Sequence, residues 1–336
     1  MATVETTPWP AGDWRQLLAD AVSDLDELLA LLDLDESCLG ERADALRSVH
    51  SFGLRVPRGF VGRMRRGDAD DPLLRQVLPI DREMIPVGGF TADPVGELSS
   101  PPVASVLHKY RGRALVMVTG ACAIHCRYCF RRHFPYGEHG PESAAARIAS
   151  DPEITEVILS GGDPLTVPDG RLEALARSLA AIPHVRRLRI HTRIPIVLPQ
   201  RVDTTLVSWI GDLGLPVVVV VHANHANEID DEVRRALAAL DAAGATLLNQ
   251  AVLLAGVNDS AAALANLSET LFNAGVLPYY LHMLDPVEGA AHFEVPEDEA
   301  RRLQIELTSR LPGYLVPRLV REVEGAPAKV SVDLWR

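Results

Sequence analysis

Three cysteines lie close together in the chain, at Cys122, Cys126 and Cys129. Their C-x3-C-x2-C spacing places three thiolates on one loop, which is enough to hold three irons of a [4Fe–4S] cluster. The fourth iron then has no protein ligand, and an open coordination position is what a catalytic metal requires. A zinc site is the alternative, with a fourth ligand from one of three nearby histidines, His125, His133 or His139. The distant Cys38 is interpreted as a small buried hydrophobe or an inert thiol.

Lysine is rare in this chain, which has 33 lysines and arginines but only two lysines, Lys109 and Lys329. Arginine cannot be deprotonated and cannot form an imine, so a retained lysine can mark chemistry that needs a primary amine. Lys329 ends a loop that contains glycine and proline, and its amine could carry pyridoxal phosphate (PLP) covalently. An exposed lysine on a C-terminal tail is the alternative.

Basic and glycine-rich segments offer further contacts for ligands. Lys109 and Arg113 precede a predicted strand and could hold a phosphate. Arg131 follows the last of the three cysteines by two residues, and arginine in a strand-end loop suits bidentate binding of a carboxylate. Solvated basic turns are the alternative for both segments. The Gly161-Gly162 pair would let the backbone approach a ligand closely.

A regular alternation of apolar runs and helical patterns begins at residue 114. The apolar runs are Ala114–Thr119, Glu156–Leu159, Arg186–His191, Pro216–Val221, Leu247–Leu254 and Pro278–Leu284. The helical patterns are Glu142–Ser150, Gly170–Ile182, Asp203–Leu213, Asp230–Ala243, Ser260–Ala274 and Glu297–Arg310. The alternation predicts an α/β fold with parallel strands and right-handed crossovers. Six units predict a partial (β/α)6 TIM-like barrel, because a full barrel needs eight. A doubly wound open sheet is the alternative.

Polar residues follow almost every predicted strand, and this favours the barrel. In a parallel barrel the catalytic groups gather where the strands end, whereas an open sheet would gather them at one crevice. Besides the three cysteines, these residues include Asp163, His191, His222 and Asp285.

The chain is predicted to have three parts. Residues 1–100 form an N-terminal helical and loop-rich extension, residues 101–295 the barrel, and residues 296–336 a C-terminal helix followed by the segment of Lys329. Within the extension, Trp14–Leu34 has apolar residues at helical spacing.

Net charge and segment lengths limit the partners. The net charge of −12 argues against a nucleic-acid footprint. The start of the chain lacks the basic and apolar regions of a signal peptide, and the valine run Val217–Val221 is far too short to cross a bilayer. We therefore expect a cytoplasmic protein that binds neither nucleic acid nor membrane.

Taken together, the motifs resemble the lysine 2,3-aminomutase family of radical S-adenosylmethionine (SAM) enzymes from about residue 50 to the end. The segments that carry the resemblance are Leu54–Arg58, Cys122–Tyr136, Leu159–Asp163, His222–Glu228, Leu248–Leu254 and Asp285–Phe293. Among subfamilies, the chain is most similar to the short members that make β-lysine, as the R enantiomer, for the modification of translation elongation factor P. The resemblance implies an isomerase that acts on L-lysine with a [4Fe–4S] cluster, SAM and PLP.

The resemblance also implies roles for individual residues. Cys122, Cys126 and Cys129 hold the cluster, and Lys329 carries PLP, whose phosphate is bound by Lys109 and Arg113. Gly161, Gly162, Asp163 and His222 are assigned to cofactor binding. Arg131 binds the substrate carboxylate, and Asp285 with Glu322 binds its distal ammonium. Implied partners are an electron donor such as flavodoxin or ferredoxin, elongation factor P and its lysyl ligase.

The chain departs from the larger family members in three ways. Those enzymes have aspartate where this chain has Glu322, and their glycine-rich run before the PLP lysine is reduced here to Gly325–Ala328. Their C-terminal zinc-binding cysteines are missing, so no zinc is predicted and the oligomeric state, a dimer or otherwise, stays open. Three rival functions remain: an aminomutase for another amino acid such as arginine, a radical SAM enzyme without PLP, and a zinc-binding interaction module.

Overall fold

A computed structural model of the chain describes residues 13–40, 52–97, 105–136 and 143–334. Its centre is one nine-stranded sheet in which spatial order follows chain order. The strands are β1 Val106–Tyr110, β2 Arg113–Thr119, β3 Glu156–Gly161, β4 Arg187–Thr192, β5 Val217–Val221, β6 Thr246–Val252, β7 Leu277–His282, β8 Arg318–Arg321 and β9 Val330–Ser331. Strands β2 to β8 are parallel, and β1 and β9 are antiparallel edge strands.

Helices alternate with the parallel strands. The described helices are α1 Asp13–Ala19, α2 Leu25–Leu31, α3 Arg58–Val61, α4 Ala144–Ala149, α5 Asp169–Ala180, α6 Ile194–Val197, α7 Thr204–Gly211, α8 Asp231–Ala242, α9 Ala261–Asn273 and α10 Glu297–Arg310. Three of the long crossover helices begin at a capping side chain that accepts a backbone N–H of the first turn: Asp203, Asp230 and Ser260. None of the described helices combines the length and apolarity that a membrane crossing needs.

The two ends of the sheet meet. Tyr110, the last residue of β1, donates a hydrogen bond from its hydroxyl to Glu322, which directly follows β8. Seven strand-to-strand steps separate β1 from β8, so a flat sheet would hold them roughly 34 Å apart. The sheet therefore curls into an open barrel. Because the strand order never reverses, as it would at the switch point of a doubly wound sheet, the predicted partial barrel is confirmed and the alternative is excluded.

The predicted elements of the barrel match the observed ones closely. All six predicted strands are present within a few residues, and Glu297–Arg310 has the predicted bounds. A seventh parallel strand, β8, was not predicted. It contains only two apolar residues between two arginines, which is too short a run to stand out from a loop. The start of the predicted helix Glu142–Ser150 and the predicted boundary at residue 100 lie outside the described residues, and the division into three parts stays a prediction.

The N-terminal extension differs from its prediction in one place. Instead of one helical stretch over Trp14–Leu34, the chain forms α1 and α2, separated by an extended segment at Val22. Val22 exchanges both backbone hydrogen bonds with Val56 (2.8 and 2.9 Å), and Asp24 then caps α2. Helical spacing alone could not reveal this bridge, because its partner lies far along the chain.

Candidate active site

The three cysteines of the C-x3-C-x2-C motif lie on the loop that follows β2. All three are free thiols and partly accessible. The loop is anchored by the buried side chains of Ala123 and Ile124, and by a hydrogen bond from the Cys129 N–H to the Cys126 carbonyl (3.0 Å). The sequence motif therefore folds into a single compact loop at the carboxyl end of the sheet.

The environment of these thiols suits a bound cationic group. Burial raises the pKa of Cys129 to about 11, and the neighbouring Cys126 raises it further. Burial, then Cys129 and Asp163, also raises the pKa of Cys122. Without a positive partner, three adjacent thiolates would repel one another in this site, whereas a metal group reverses that balance. The donor set fits an iron–sulfur cluster.

The candidate fourth ligands of the zinc alternative are engaged elsewhere or not described. His125 Nδ1 lies 2.8 Å from the Gly53 carbonyl, and His133 Nε2 lies 3.4 Å from that of Glu288. His139 lies outside the described residues. Within the described ranges, no three His, Cys, Asp or Glu side chains are gathered round one metal position. That finding does not count against a cluster, because each cluster cysteine binds its own iron.

The loop after β3 packs directly on the cysteine loop. Gly161 has φ = +118°, and a Cβ at Gly162 would lie 2.2 Å from the Ala121 carbonyl oxygen. The Asp163 N–H donates to that same oxygen (2.8 Å). The two glycines thus allow the close approach between the two loops, and their predicted role in binding a ligand stays a prediction.

Asp163 is used by the chain itself. Its carboxylate accepts hydrogen bonds from the Thr192 hydroxyl (2.7 Å) and from the N–H groups of Leu165, Arg193 and Ile194. The side chain therefore ties the end of β3 to the end of β4. Its predicted contact with a cofactor stays a prediction.

Lys329 meets the predicted substrate acid. Its Nζ forms an ion pair with Glu322 Oε1 (2.5 Å), while Tyr110 donates to the other carboxylate oxygen. Burial alone would raise the pKa of Glu322, but the Lys329 ammonium and the hydrogen bonds from Lys329 and Tyr110 lower it. Lys329 is therefore not a free tail residue; it projects into the barrel mouth.

Asp285, the second predicted acid, lies nearby without a side-chain partner among the described residues. Burial raises its pKa to about 7, Lys329 opposes that shift, and Glu322 adds to it. Lys109 also acts on both carboxylates. The charges of the only two lysines of the sequence thus both lower the pKa of these two acids.

The predicted phosphate ligands lie on the edge strand β1 and at the start of β2. Lys109 is exposed and donates to the Val95 carbonyl (3.0 Å). Beside it is a cavity of about 490 Å³, lined by β1 and by residues 323–327. The Arg113 guanidinium stacks on Tyr110 at 5.0 Å, and its Nε is buried with no partner in the described part of the chain. An unpaired guanidinium N–H fits an anion at this position.

Arg131 is buried, as a carboxylate-binding residue can be, but it already has a carboxylate partner. Its Nε and Nη2 form a bidentate pair with Glu97, at 2.7 Å each. Among the residues that the structure describes, Nη1 makes only two long contacts of 3.4 Å, to the Ser160 hydroxyl and the Gly161 carbonyl. A substrate carboxylate would therefore meet Nη1, with Glu97 fixing the rest of the guanidinium.

Three histidines line the barrel interior near Lys329. His222 accepts a hydrogen bond from the Gln250 amide (3.0 Å), and burial lowers its pKa to about 3. His191 and His282 each bury an Nε2 that has no partner among the described atoms. Burial lowers the pKa of both, and Lys329 contributes in each case. Two unsatisfied nitrogens, each costing about 1–3 kcal/mol, fit a polar ligand beside Lys329.

Several site residues escaped the sequence reasoning. Gln76, Glu83 and Glu97 come from the N-terminal extension and contact arginines on or near the cysteine loop. Tyr110 stands between the two predicted phosphate ligands, Lys109 and Arg113, and was not itself predicted to belong to the site. A polar residue in an irregular segment carries no periodic signal, so the sequence offered no basis for choosing these four.

The chain was compared with family models, curated proteins and solved structures. No family model matches the chain. An L-lysine 2,3-aminomutase of Escherichia coli is 51% identical over 99% of this chain and 98% of its own length. The enzyme of that name from Haemophilus influenzae is 46% identical over 94% of both chains. The one from Clostridium subterminale is 33% identical over 95% of this chain and 77% of its own length.

Among solved structures, a radical SAM methyltransferase from Sphaerobacter thermophilus matches with a TM-score of 0.41 at 20% identity, over 64% of this chain and 68% of that one. This structural similarity is too low to assign a family, so the assignment depends on the relatives found by sequence. With about half of all positions identical along almost the full length of the Escherichia coli protein, the chain belongs to the L-lysine 2,3-aminomutase family.

Proposed function

We propose that this protein converts L-lysine to β-lysine, with a [4Fe–4S] cluster on Cys122, Cys126 and Cys129, SAM at the open iron, and PLP on Lys329. The observation that carries the proposal is the position of Lys329. Its amine is paired with Glu322 at the same barrel end as the three cysteines, because all the parallel strands end there. Family membership supports the same chemistry.

When bound, these groups supply an adenosyl radical that removes hydrogen and an aldehyde that binds the substrate amine and delocalises the unpaired electron. The residues of the chain provide position and charge. Neutral His191, His222 and His282 surround Lys329 without adding positive charge, since burial lowers the pKa of each.

Glu322 has two possible cationic partners in this scheme. In the free protein it holds the Lys329 ammonium at 2.5 Å. A Lys329 that holds PLP would direct its nitrogen to the cofactor, and its ion pair with Glu322 would open. The carboxylate, held by Tyr110, can then accept the distal ammonium of lysine together with Asp285.

The opposite end of the substrate is placed by Arg131. Its Nη1 points between Ser160 and Gly161, where a carboxylate could replace two contacts of 3.4 Å. A charge-assisted hydrogen bond there would contribute about 1.5–3 kcal/mol. Substrates with a carboxylate and a distal cation are therefore preferred, and glutamate is disfavoured by the two acids.

The test is an anaerobic assay with SAM, a reductant, PLP and lysine, followed by chromatography for β-lysine. The Lys329→Ala variant should hold about four irons per chain but form no β-lysine and lose the visible absorbance of bound PLP. Arg302→Ala, at a side chain that is 73% exposed, is the matched surface control. β-Lysine formation by Lys329→Ala, or wild-type protein with one zinc and no iron, would overturn the proposal.

Arginine is the same-class alternative, because it also carries a carboxylate and a distal cation. Competition assays with equal lysine and arginine distinguish the two. A higher kcat/KM for arginine would move the assignment to an arginine aminomutase. Product formation without PLP would instead favour a PLP-free radical SAM enzyme.

We further propose that the product is (R)-β-lysine, which a separate ligase attaches to translation elongation factor P in the cytoplasm. The resemblance of the chain's motifs to the short members of the family supports this role, and the Escherichia coli relative is 51% identical to the chain. A flavodoxin or ferredoxin would supply the electron. Chiral chromatography and mass spectrometry of elongation factor P after incubation with ligase, lysine and this enzyme test the proposal.

A further inference from the structure

One cysteine of the C-x3-C-x2-C loop differs from the other two in its surroundings. Arg193, which follows β4, donates a hydrogen bond from Nη1 to the Cys126 Sγ at 2.7 Å. In the described part of the chain, neither Cys122 nor Cys129 receives a hydrogen bond from a cationic side chain. The contact therefore places one positive charge against one specific sulfur.

Arg193 is held in this position from several directions. Its Nη2 donates to Gln76 Oε1 (2.6 Å) and Glu228 Oε2 (3.0 Å). Its backbone N–H donates to Asp163 (2.7 Å), in the loop after β3 that contains Gly161 and Gly162 and is called the glycine loop below. The guanidinium also lies 5.7 Å from the ring of Tyr128. With its side chain only 7% exposed, Arg193 has little freedom to leave the sulfur.

The counter-charge of Arg193 is on the far side of the guanidinium. Glu228 is fully buried and binds Nη2, whereas the sulfur binds Nη1. Glu228 also accepts hydrogen bonds from the N–H groups of Asn224 and His225 (2.8 and 3.0 Å). The arrangement is a fixed dipole whose positive end faces Cys126.

We propose that Arg193 raises the reduction potential of the iron–sulfur cluster held by Cys126. Reduction adds one negative charge to the cluster, and a cationic N–H donor to a ligand sulfur stabilises the reduced form more than the oxidised form. Glu228 fixes the orientation of the guanidinium and partly offsets its charge. This inference rests on the cluster of the proposed function but assigns Arg193 a role separate from substrate binding.

The test is a redox titration of anaerobically reconstituted protein, followed by electron paramagnetic resonance of the reduced cluster. SAM, PLP and lysine are left out, so that the reading does not depend on catalysis. Arg193→Gln should make reduction at least tenfold less favourable at a given potential, a shift of about 59 mV to more negative values. Arg193→Lys keeps the charge but loses the planar fork, and should shift the potential in the same direction by less.

Arg201→Lys is the matched control for Arg193→Lys. Arg201 is also fully buried and ion-paired, through Asp169 (2.8 Å), but makes no hydrogen bond to a cysteine in the described chain. Its substitution should leave the potential unchanged. Equal shifts in Arg193→Lys and Arg201→Lys would mean that general loosening moves the potential, and would overturn the proposal.

Glu228→Gln provides a check of opposite sign. It removes the negative charge while keeping the shape of the side chain, so the potential should rise. If the reduction potential fell equally in Glu228→Gln and Arg193→Gln, the charge argument would be overturned. If Arg193→Gln keeps its full iron content, an unchanged reduction potential in that variant would also overturn the proposal. If Arg193→Gln loses its iron, an unchanged reduction potential in Arg193→Lys would overturn it instead. Wild-type protein without iron would instead contradict the proposed function.

Discussion

Asp285 and Glu322 are two acids at the same barrel end with opposite electrostatic behaviour. Glu322 has two donors, Lys329 and Tyr110, and its pKa is lowered. Asp285 has no side-chain partner among the described residues, and its pKa is raised to about 7. One acid is thus ionised in the free protein, and the other is poised to ionise when a cation arrives. Two consequences can be measured at the level of single residues.

Asp285→Asn should stabilise the cofactor-free protein at alkaline pH. Burial raises the pKa of Asp285 to about 7, against about 3.9 in an unfolded chain. The free energy of unfolding must therefore fall as pH rises from about 4 to about 7, since the folded state keeps the proton that the unfolded state loses. Above pH 7 the penalty is constant, and asparagine removes it.

Urea unfolding at pH 8 and pH 5 checks this prediction. The variant should be more stable than wild type by on the order of 1–2 kcal/mol at pH 8, because a partly exposed carboxylate keeps some hydration, and by less at pH 5. Asp298→Asn, at a side chain that is 93% exposed, is the control and should show no such pH dependence. A wild-type protein more stable than Asp285→Asn at pH 8 would contradict the argument.

Tyr110→Phe should weaken lysine binding without disturbing the cluster. The variant removes the phenol that holds one oxygen of Glu322, while the ring keeps its stacking on Arg113. Loss of one hydrogen bond to a charged group costs about 1.5–3 kcal/mol. We expect KM for lysine to rise by about tenfold or more, with a smaller change in kcat. Steady-state kinetics test this, with Tyr314→Phe, at an exposed phenol, as the control. An unchanged KM would show that Tyr110 does not position Glu322.

At the level of elements, the sequence predicted the barrel because its strands are strongly apolar. Five consecutive valines form β5, and β-branched residues of this kind fit a buried parallel strand. The last two strands offered no such signal, because β8 and β9 are short and partly exposed. The cysteine loop and Lys329 were found from residue type and spacing. Their partners Glu97, Gln76 and Glu83 were not, because only folding brings these distant residues together.

Gly162→Ala should damage the contact between the glycine loop and the cysteine loop. An added Cβ would lie 2.2 Å from the Ala121 carbonyl oxygen, which is backbone and cannot rotate away. Overpacking of this kind costs about 1–3 kcal/mol. We expect a lower unfolding midpoint and less iron per chain after reconstitution.

Gly170→Ala is the matched control for that substitution. No atom lies within 4 Å of the position of its Cβ, and it occupies the first turn of α5. Alanine there should leave stability unchanged or raise it slightly, because it reduces the entropy of the unfolded chain. Equal midpoints and equal iron contents in the two variants would refute the role of Gly162.

At the scale of the whole molecule, the N-terminal extension supplies negative charge to the cysteine loop. Glu83 binds both Arg127 and Arg132, at 2.5 and 2.8 Å, and all three side chains are at most 5% exposed. Glu97, also in the extension, forms a buried ion pair with Arg131 (2.7 Å). The extension and the barrel are therefore joined through the loop that would hold the cluster, and loosening either part should loosen both.

Glu83→Gln tests this coupling. It leaves two buried guanidinium groups without their shared counter-charge, and breaking a buried pair costs about 3–5 kcal/mol. We expect a lower urea midpoint and faster hydrogen exchange in both residues 52–97 and the cysteine loop. Glu27→Gln, which removes a partner of the exposed Arg58, is the control and should cost at most about 1 kcal/mol. Faster exchange confined to residues 52–97 would mean that the extension only covers the barrel, because a shared ion-pair network must release both of its sides together.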